Sequence, residues 1–136
     1  MYKNIIVAVA LSHGDAGKGL LDKAVDLLDE GGVIRLLTVL EDVPSYVAAE
    51  LPRDLNDRRQ AEAKVELSVL VARQDVNIQP EVRTGAPAGQ ILQCAEDTGA
   101  DLIMIASHRP GLSDYFIGST AARVVRHAQT SVLISR

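Results

Sequence analysis

Short apolar runs recur along this chain, and all but the last are followed by a stretch with helical spacing. Asn4 to Ala10, Asn-Ile-Ile-Val-Ala-Val-Ala, is the first such run, and its continuity predicts a parallel strand covered on both faces. Leu20, Leu21, Ala24, Leu27 and Leu28 then recur as one helical face, with Gly31-Gly32 as the expected stop. Val33 to Val39 reads as the second strand, and Glu41 to Pro52, with two prolines and no period, as the longest loop. From Arg53 to Gln74 the chain lacks Gly and Pro and sets Ala63, Leu67, Leu70 and Val71 on one helical face. Asn77 to Thr84 is the third strand, and Pro80 inside it predicts an edge position, because proline cannot donate to a ladder. After Gly85-Ala-Pro87 comes a third helix through Ala88, Ile91, Leu92 and Ala95, ending near Gly99. Asp101 to Ser107 is the fourth strand, Ala121, Val124, Val125 and Ala128 mark a fourth helix, and Ser131 to Ser135 the fifth strand.

Strands alternating with helices imply right-handed crossovers, and so a doubly wound, Rossmann-like α/β fold with helices on both faces of a five-stranded parallel sheet. Strand order 3-2-1-4-5 is expected, with the order reversing between the first and fourth strands. Ligands in such sheets sit beyond the strands' carboxyl ends at that reversal. The loops Ala10 to Lys18 and Ser107 to Gly118 would then flank one crevice. The 136 residues form one expected domain over the whole length, 1–136, large enough to bury about 68–70% of the unfolded surface.

Charge and composition narrow the function. With 14 basic against 18 acidic residues the net charge is −4, which argues against a general nucleic-acid surface. Aromatic residues make up 3% and tryptophan is absent, so stacking platforms for single strands are missing too. The one cysteine, Cys94, has no internal disulfide partner, and there is no signal peptide or apolar run of spanning length. The expectation is a cytoplasmic protein without membrane insertion.

Three nucleotide or phosphate chemistries fail on spacing or on missing residues. Gly14-Asp-Ala-Gly-Lys-Gly19 stands where a P-loop would, but only two residues separate its first glycines and Gly19 follows Lys18 in place of a hydroxyl. The same glycines have the wrong order of gaps for a dinucleotide fingerprint. A phospho-receiver needs carboxylates at its strand ends, whereas the first strand leaves through Ala10-Leu-Ser and the third through Gly85-Ala-Pro. The stretch Ala106-Ser-His-Arg-Pro-Gly-Leu-Ser-Asp-Tyr-Phe-Ile-Gly-Ser-Thr120 is more promising. It runs from a strand to a helix start, where unpaired N–H groups and the helix dipole attract an anion, and Gly118 lets that anion come close.

On these residues the chain resembles the universal stress protein family. Its ATP-binding members carry Gly-x-x-Gly after the fourth strand and Gly-Ser or Gly-Thr at the head of the last helix. Here Gly118-Ser-Thr120 leads into Ala-Ala-Arg-Val-Val-Arg-His-Ala128 and Ser-Val-Leu-Ile134, with Ile-Ile-Val-Ala-Val9 and Thr84-Gly-Ala-Pro87 earlier in the chain. The resemblance covers the full length. It implies that Gly118, Ser119 and Thr120 hold phosphates through backbone N–H groups and hydroxyls. Ser107, His108, Arg109 and Gly111 would form the other wall, with Arg109 a bidentate phosphate partner. Ala8, Val9, Ala10, Ser12 and Ala106 would line the cleft at the ends of the first and fourth strands, and Val39 would meet the adenine through its backbone.

Two departures stand out. The family's usual two loop glycines fall at Ala106 and Arg109, in the Ala-Ser-His-Arg-Pro form of a subgroup that still binds ATP. Where the family has an aspartate just after the first strand, this chain has Ala10. One lost polar contact of about 1–3 kcal/mol lowers affinity by roughly tenfold to a hundredfold. Arg123 and Arg126 lie off the apolar face of the last helix and read as solvated or interface charges, and Cys94 as a small core filler. No catalytic residue or metal-ligand set stands at recognisable spacing.

The resemblance therefore implies an ATP-binding stress-response module, dimeric through antiparallel pairing of its C-terminal strand, with Mg accompanying the nucleotide. Two other readings stand beside it. One is a slow Mg-dependent ATP hydrolase. The other is a protein-interaction module without nucleotide, working beside a partner such as a transporter.

Overall fold

The computed structural model describes residues 1–11, 16–72, 74–106 and 118–135. Its elements are β1 (Tyr2–Ala8), α1 (Ala16–Leu27), β2 (Leu28–Leu40), α2 (Ser45–Ala48), α3 (Leu55–Val71), β3 (Asn77–Thr84), α4 (Pro87–Thr98), β4 (Leu102–Ala106), α5 (Ser119–His127) and β5 (Ser131–Ser135). The strands form one sheet in the order β3-β2-β1-β4-β5, every pairing parallel. This is the doubly wound order expected from the alternation of runs.

The middle of β1 has no polar residue because neither of its faces meets water. Ile5 and Val7 join one core layer with Leu20, Leu21, Ala24 and Leu67 from α1 and α3. Ile6, pointing the other way, joins Ile91, Cys94, Ala121 and Val124 from α4 and α5. The register continues these layers sideways, with Ile5 opposite both Ile34 and Leu102, and Val7 opposite both Leu36 and Met104. Ile5, Ile6 and Val7 are wholly buried. At about 1.5–3 kcal/mol for each large apolar side chain removed from water, this double layer dominates the favourable side of folding.

Local signals explain where most elements stop. Gly99 ends α4 in the left-handed region at φ 65°, as its position in the sequence suggests. Pro80 is tolerated because β3 is an outer strand, paired on one side only. One expectation is overturned. Gly31-Gly32 does not end α1, which already stops at Leu27, but lies inside a longer β2. Pairing wins over the glycine signal here: Tyr2 lies opposite Leu28, and the register slips before Asn4 meets Val33. The extra residues of β2 are accommodated at this irregularity, where Gly31 has φ 80°, a conformation that side chains with a Cβ resist. The long loop after β2 also contains one helical turn, α2, that no periodicity announces.

A cluster of ions bridges β2, β3 and α4. Glu81 accepts hydrogen bonds from Arg35 at 3.1 Å and from Arg83, and Arg83 also reaches Asp97 at 3.1 Å. Burial alone would raise the Glu81 pKa, but hydrogen bonds from Arg83 and the Cys94 thiol, with the charges of Arg83 and Arg35, outweigh it and hold the carboxyl below its ordinary 4.5. Burial and the neighbouring Glu81 charge push the Cys94 thiol up to about 12, so it remains protonated and inert.

Two expected outcomes follow from these features. Gly31→Val forces a β-branched residue to φ 80° and is expected to cost about 1–3 kcal/mol in urea unfolding. A depressed folded-state pKa contributes stability that is complete above the unfolded value and is lost as pH falls through the folded value. The acid limb of the wild-type stability profile, below about pH 4.5, is therefore expected to be steeper than that of Glu81→Gln.

Candidate nucleotide site at the strand ends

β1 lies between β2 and β4, so the chain's order reverses beside it, and the loops beyond the carboxyl ends of these strands share one rim. The exit of β1 is held by two hydrogen bonds. Val9 N–H donates to the Leu37 carbonyl at 2.8 Å, and the Thr38 hydroxyl donates to the Val9 carbonyl at 2.8 Å. Thr38 is 3% exposed and is the one buried polar residue among those described. Its hydroxyl satisfies a carbonyl that the end of the ladder leaves over. At the next strand, Gly85 N–H donates to the Leu40 carbonyl at 2.9 Å and brings the start of α4 beside Glu41 and Asp42.

Between these segments and α5 lies a cavity of about 460 Å³. Glu41 and Asp42 close it on the β2 side, the turn Gly85 to Ala88 forms its floor, and Ser119, Thr120 and Arg123 face it from α5. Two helices start at this cavity. α4 begins at Pro87 after Ala86, and α5 at Ser119 after Gly118, and neither has a side-chain cap hydrogen bond. Because Gly118 is the N-cap, Ser119 is the first helical residue, and its hydroxyl is not used as a cap. The first turn of α5 has no acidic residue, and its last turn has Arg126 and His127. The cavity end of the helix is thus left positive. Across the cavity stand two exposed carboxylates, Glu41 and Asp42.

A smaller cavity of about 250 Å³ lies by the other core layer, where Val9, Ala10 and Leu11 meet Gly17, Val69 and Leu70, with Glu66 the one ionisable residue among the described lining residues. Gly17 packs closely here, since a Cβ there would stand 3.1 Å from Val9 Cγ1 and press that side chain aside by a few tenths of an ångström.

The residues singled out in the sequence divide accordingly. Ser119 and Thr120 meet in the larger cavity, while Val9 and Ala10 line the smaller one. Ala8 and Val39 pack against the α4 and α5 layer near the strand ends. Ala106 ends β4 exposed, and Gly118 caps α5 half-buried. Ser12, Ser107, His108, Arg109 and Gly111 lie outside the described residues. Sequence reading missed Glu41, Asp42, the Gly85 to Ala88 floor and Arg123. Only Arg123 left a usable trace, being four residues after Ser119 on the same helical face. Among the described residues, no group of three or more His, Cys, Asp or Glu side chains converges as a metal site.

The whole chain, residues 1–136, matches the model of the universal stress protein family. The chain belongs to this family. It is 32% identical over 142 residues to Universal stress protein G of Escherichia coli O157:H7, covering 100% of both chains. Among solved structures, Universal stress protein UspA from Lactobacillus plantarum superimposes with a TM-score of 0.79 at 25% identity, over 99% of this chain and 98% of that one. A universal stress protein solved in complex with cAMP shares the fold, with a TM-score of 0.69 at 21% identity, over 99% and 97% of the two chains. No helix among the described residues is long and apolar enough to cross a membrane.

The clasp on β1 has a direct check. Thr38→Val keeps the shape but strands the buried Val9 carbonyl, so a stability loss of about 1–3 kcal/mol is expected in urea unfolding. Faster hydrogen exchange at the Val9 amide should accompany it, and an unchanged exchange rate would separate the hydroxyl from the positioning of the β1 exit.

Proposed function

We propose that this universal stress protein binds an adenine nucleotide, ATP with Mg, in the larger cavity, and acts as a regulatory module in the cytoplasm. The observation that carries this reading is the start of α5, where two hydroxyls and several N–H groups without intrahelical partners face a cavity at the strands' carboxyl ends. The residues fit the group: Ser119 and Thr120 hold phosphates, and the β2 end, from Val39 to Asp42, faces the nucleoside. Carboxylates at Glu41 and Asp42 accept hydrogen bonds from sugar hydroxyls or an exocyclic amine. Ser12, Ser107, His108, Arg109 and Gly111 belong to the same proposal on the strength of the family pattern. The cAMP complex of a relative with the same fold is consistent with a nucleotide in this family's architecture.

Homodimerisation through β5 is part of the reading. Among the described residues β5 pairs only with β4, and Val132, Leu133 and Ile134 are only half-buried in the single chain. Antiparallel pairing with a second copy would cover that edge. A protein partner, such as a transporter, would respond to the occupied state.

One observation favours a second reading, a slow ATP hydrolase. Glu41 and Asp42 lie in the same cavity as the phosphate-binding groups, where a carboxylate can orient water or hold the metal. Steady turnover above background that Asp42→Asn abolishes would favour it.

The binding reading is tested by identifying small molecules released from freshly purified protein and by titrating ATP, ADP, AMP and cAMP. Ser119→Asp sets a carboxylate where the phosphate would sit, while an acidic first turn favours the helix. Nucleotide affinity is therefore expected to fall by more than about tenfold, with the melting temperature held or raised. Undiminished binding in Ser119→Asp would remove α5 from the site.

A further inference from the structure

The larger cavity is polarised. Among its described lining residues, Arg123 is the one basic side chain, and Glu41 and Asp42 are the acidic ones. Arg123 is exposed and takes part in no ion pair or hydrogen bond among the described residues, although these carboxylates line the same cavity. It lies three residues after Thr120 and four after Ser119, so all three share one face of α5. Side chains on a helix lean toward its N-terminus, which tilts the Arg123 stem back toward the two hydroxyls.

We propose that Arg123 sets the phosphate number this site accepts, selecting nucleoside triphosphates over monophosphates. The inference rests on the nucleotide reading above and goes beyond it by naming the side chain that sets the phosphate number. A single phosphate at Ser119 and Thr120 finds its donors in their hydroxyls and the first-turn N–H groups. Each further phosphate adds negative charge beyond the reach of those groups, while the carboxylates at the opposite end repel it. Among the described residues, the guanidinium of Arg123 is the cation on this wall, and its planar fork suits two phosphate oxygens at once. The same polarity fixes the ligand's direction, with the polyphosphate along α5 and the nucleoside toward β2.

Arg126 provides a matched control, since it is exposed on the same helix, carries the same charge and does not line the cavity. Calorimetric titration of ATP, ADP and AMP at fixed ionic strength with Mg²⁺ into wild type, Arg123→Gln and Arg126→Gln tests the assignment. Arg123→Gln is expected to weaken ATP by about 10- to 100-fold and leave AMP unchanged. Arg126→Gln is expected to leave both unchanged. Retained AMP binding in Arg123→Gln also shows that the variant is folded. An ATP to AMP preference that survives Arg123→Gln, or falls equally in Arg126→Gln, overturns the role of Arg123 alone. A wild type that binds none of the three overturns the nucleotide reading and this inference with it.

Discussion

Burial of the central strands on both faces is the constraint from which the rest of this molecule follows. With Ile5 and Val7 in one layer and Ile6 in the other, β1 has no face on which an unpartnered polar side chain can be carried without a desolvation cost. Chemistry is thereby displaced from the strands to their carboxyl ends and to the helix starts that follow. α5 divides its nine residues in the same way. Ala121 and Val124 are in the core, while Ser119, Thr120 and Arg123 line the cavity. The apolar stripe that docks α5 therefore also aims its polar face, so positioning the cavity-facing groups needs no contact beyond the packing that folds the domain.

The polar groups that do enter the interior show what the constraint permits. Thr38 is admitted at the last turns of the ladder because its hydroxyl satisfies the Val9 carbonyl. The Arg35, Glu81, Arg83 and Asp97 cluster sits toward the β3 edge, where α4 covers the sheet incompletely and each side chain keeps contact with solvent. Even there the account is imperfect, since Arg35 Nε is buried without a partner. The strength of Glu81 as an acceptor is consistent with this: it gathers both arginines and the Cys94 thiol. Removing one member would leave others charged and partly desolvated, which is why such clusters resist piecemeal change.

The fold was legible because its main signals act over short distances and agree with one another. Continuous apolar runs identified the buried parallel strands, Pro80 marked the edge, and Gly99 ended α4 as a left-handed cap. The glycine pair at 31 and 32 misled because the same residue type serves helix stops and strand irregularities, and only the Tyr2 to Leu28 pairing decides between them. The candidate site was half legible. Gly118-Ser-Thr120 announces a helix start with donors to spare, whereas Glu41, Asp42 and the Gly85 floor reach the cavity through sheet register and the Gly85 to Leu40 hydrogen bond. Those are long-range facts that local spacing does not encode. Arg123 lies between these cases, visible by its spacing from Ser119 but indistinguishable in sequence from a solvated charge such as Arg126.

The ends of β1 and β2 differ in shape and charge. Ala10, exposed at the exit of β1, borders a small cavity whose described walls are Val9, Leu11, Gly17, Val69 and Leu70, with one carboxylate, Glu66, among them. Among the described residues that corner is mostly apolar. Beyond β2, Glu41 and Asp42 stand at the larger cavity, opposite the positive start of α5. A negative group near the sheet's rim is thus present in this chain, carried by the segment after β2 rather than by Ala10 at the exit of β1. Opposed charges across one cavity favour a ligand that itself carries charge at one end and neutral hydrogen-bond donors at the other. They disfavour a symmetric dianion, which would meet the carboxylates whichever way it turned.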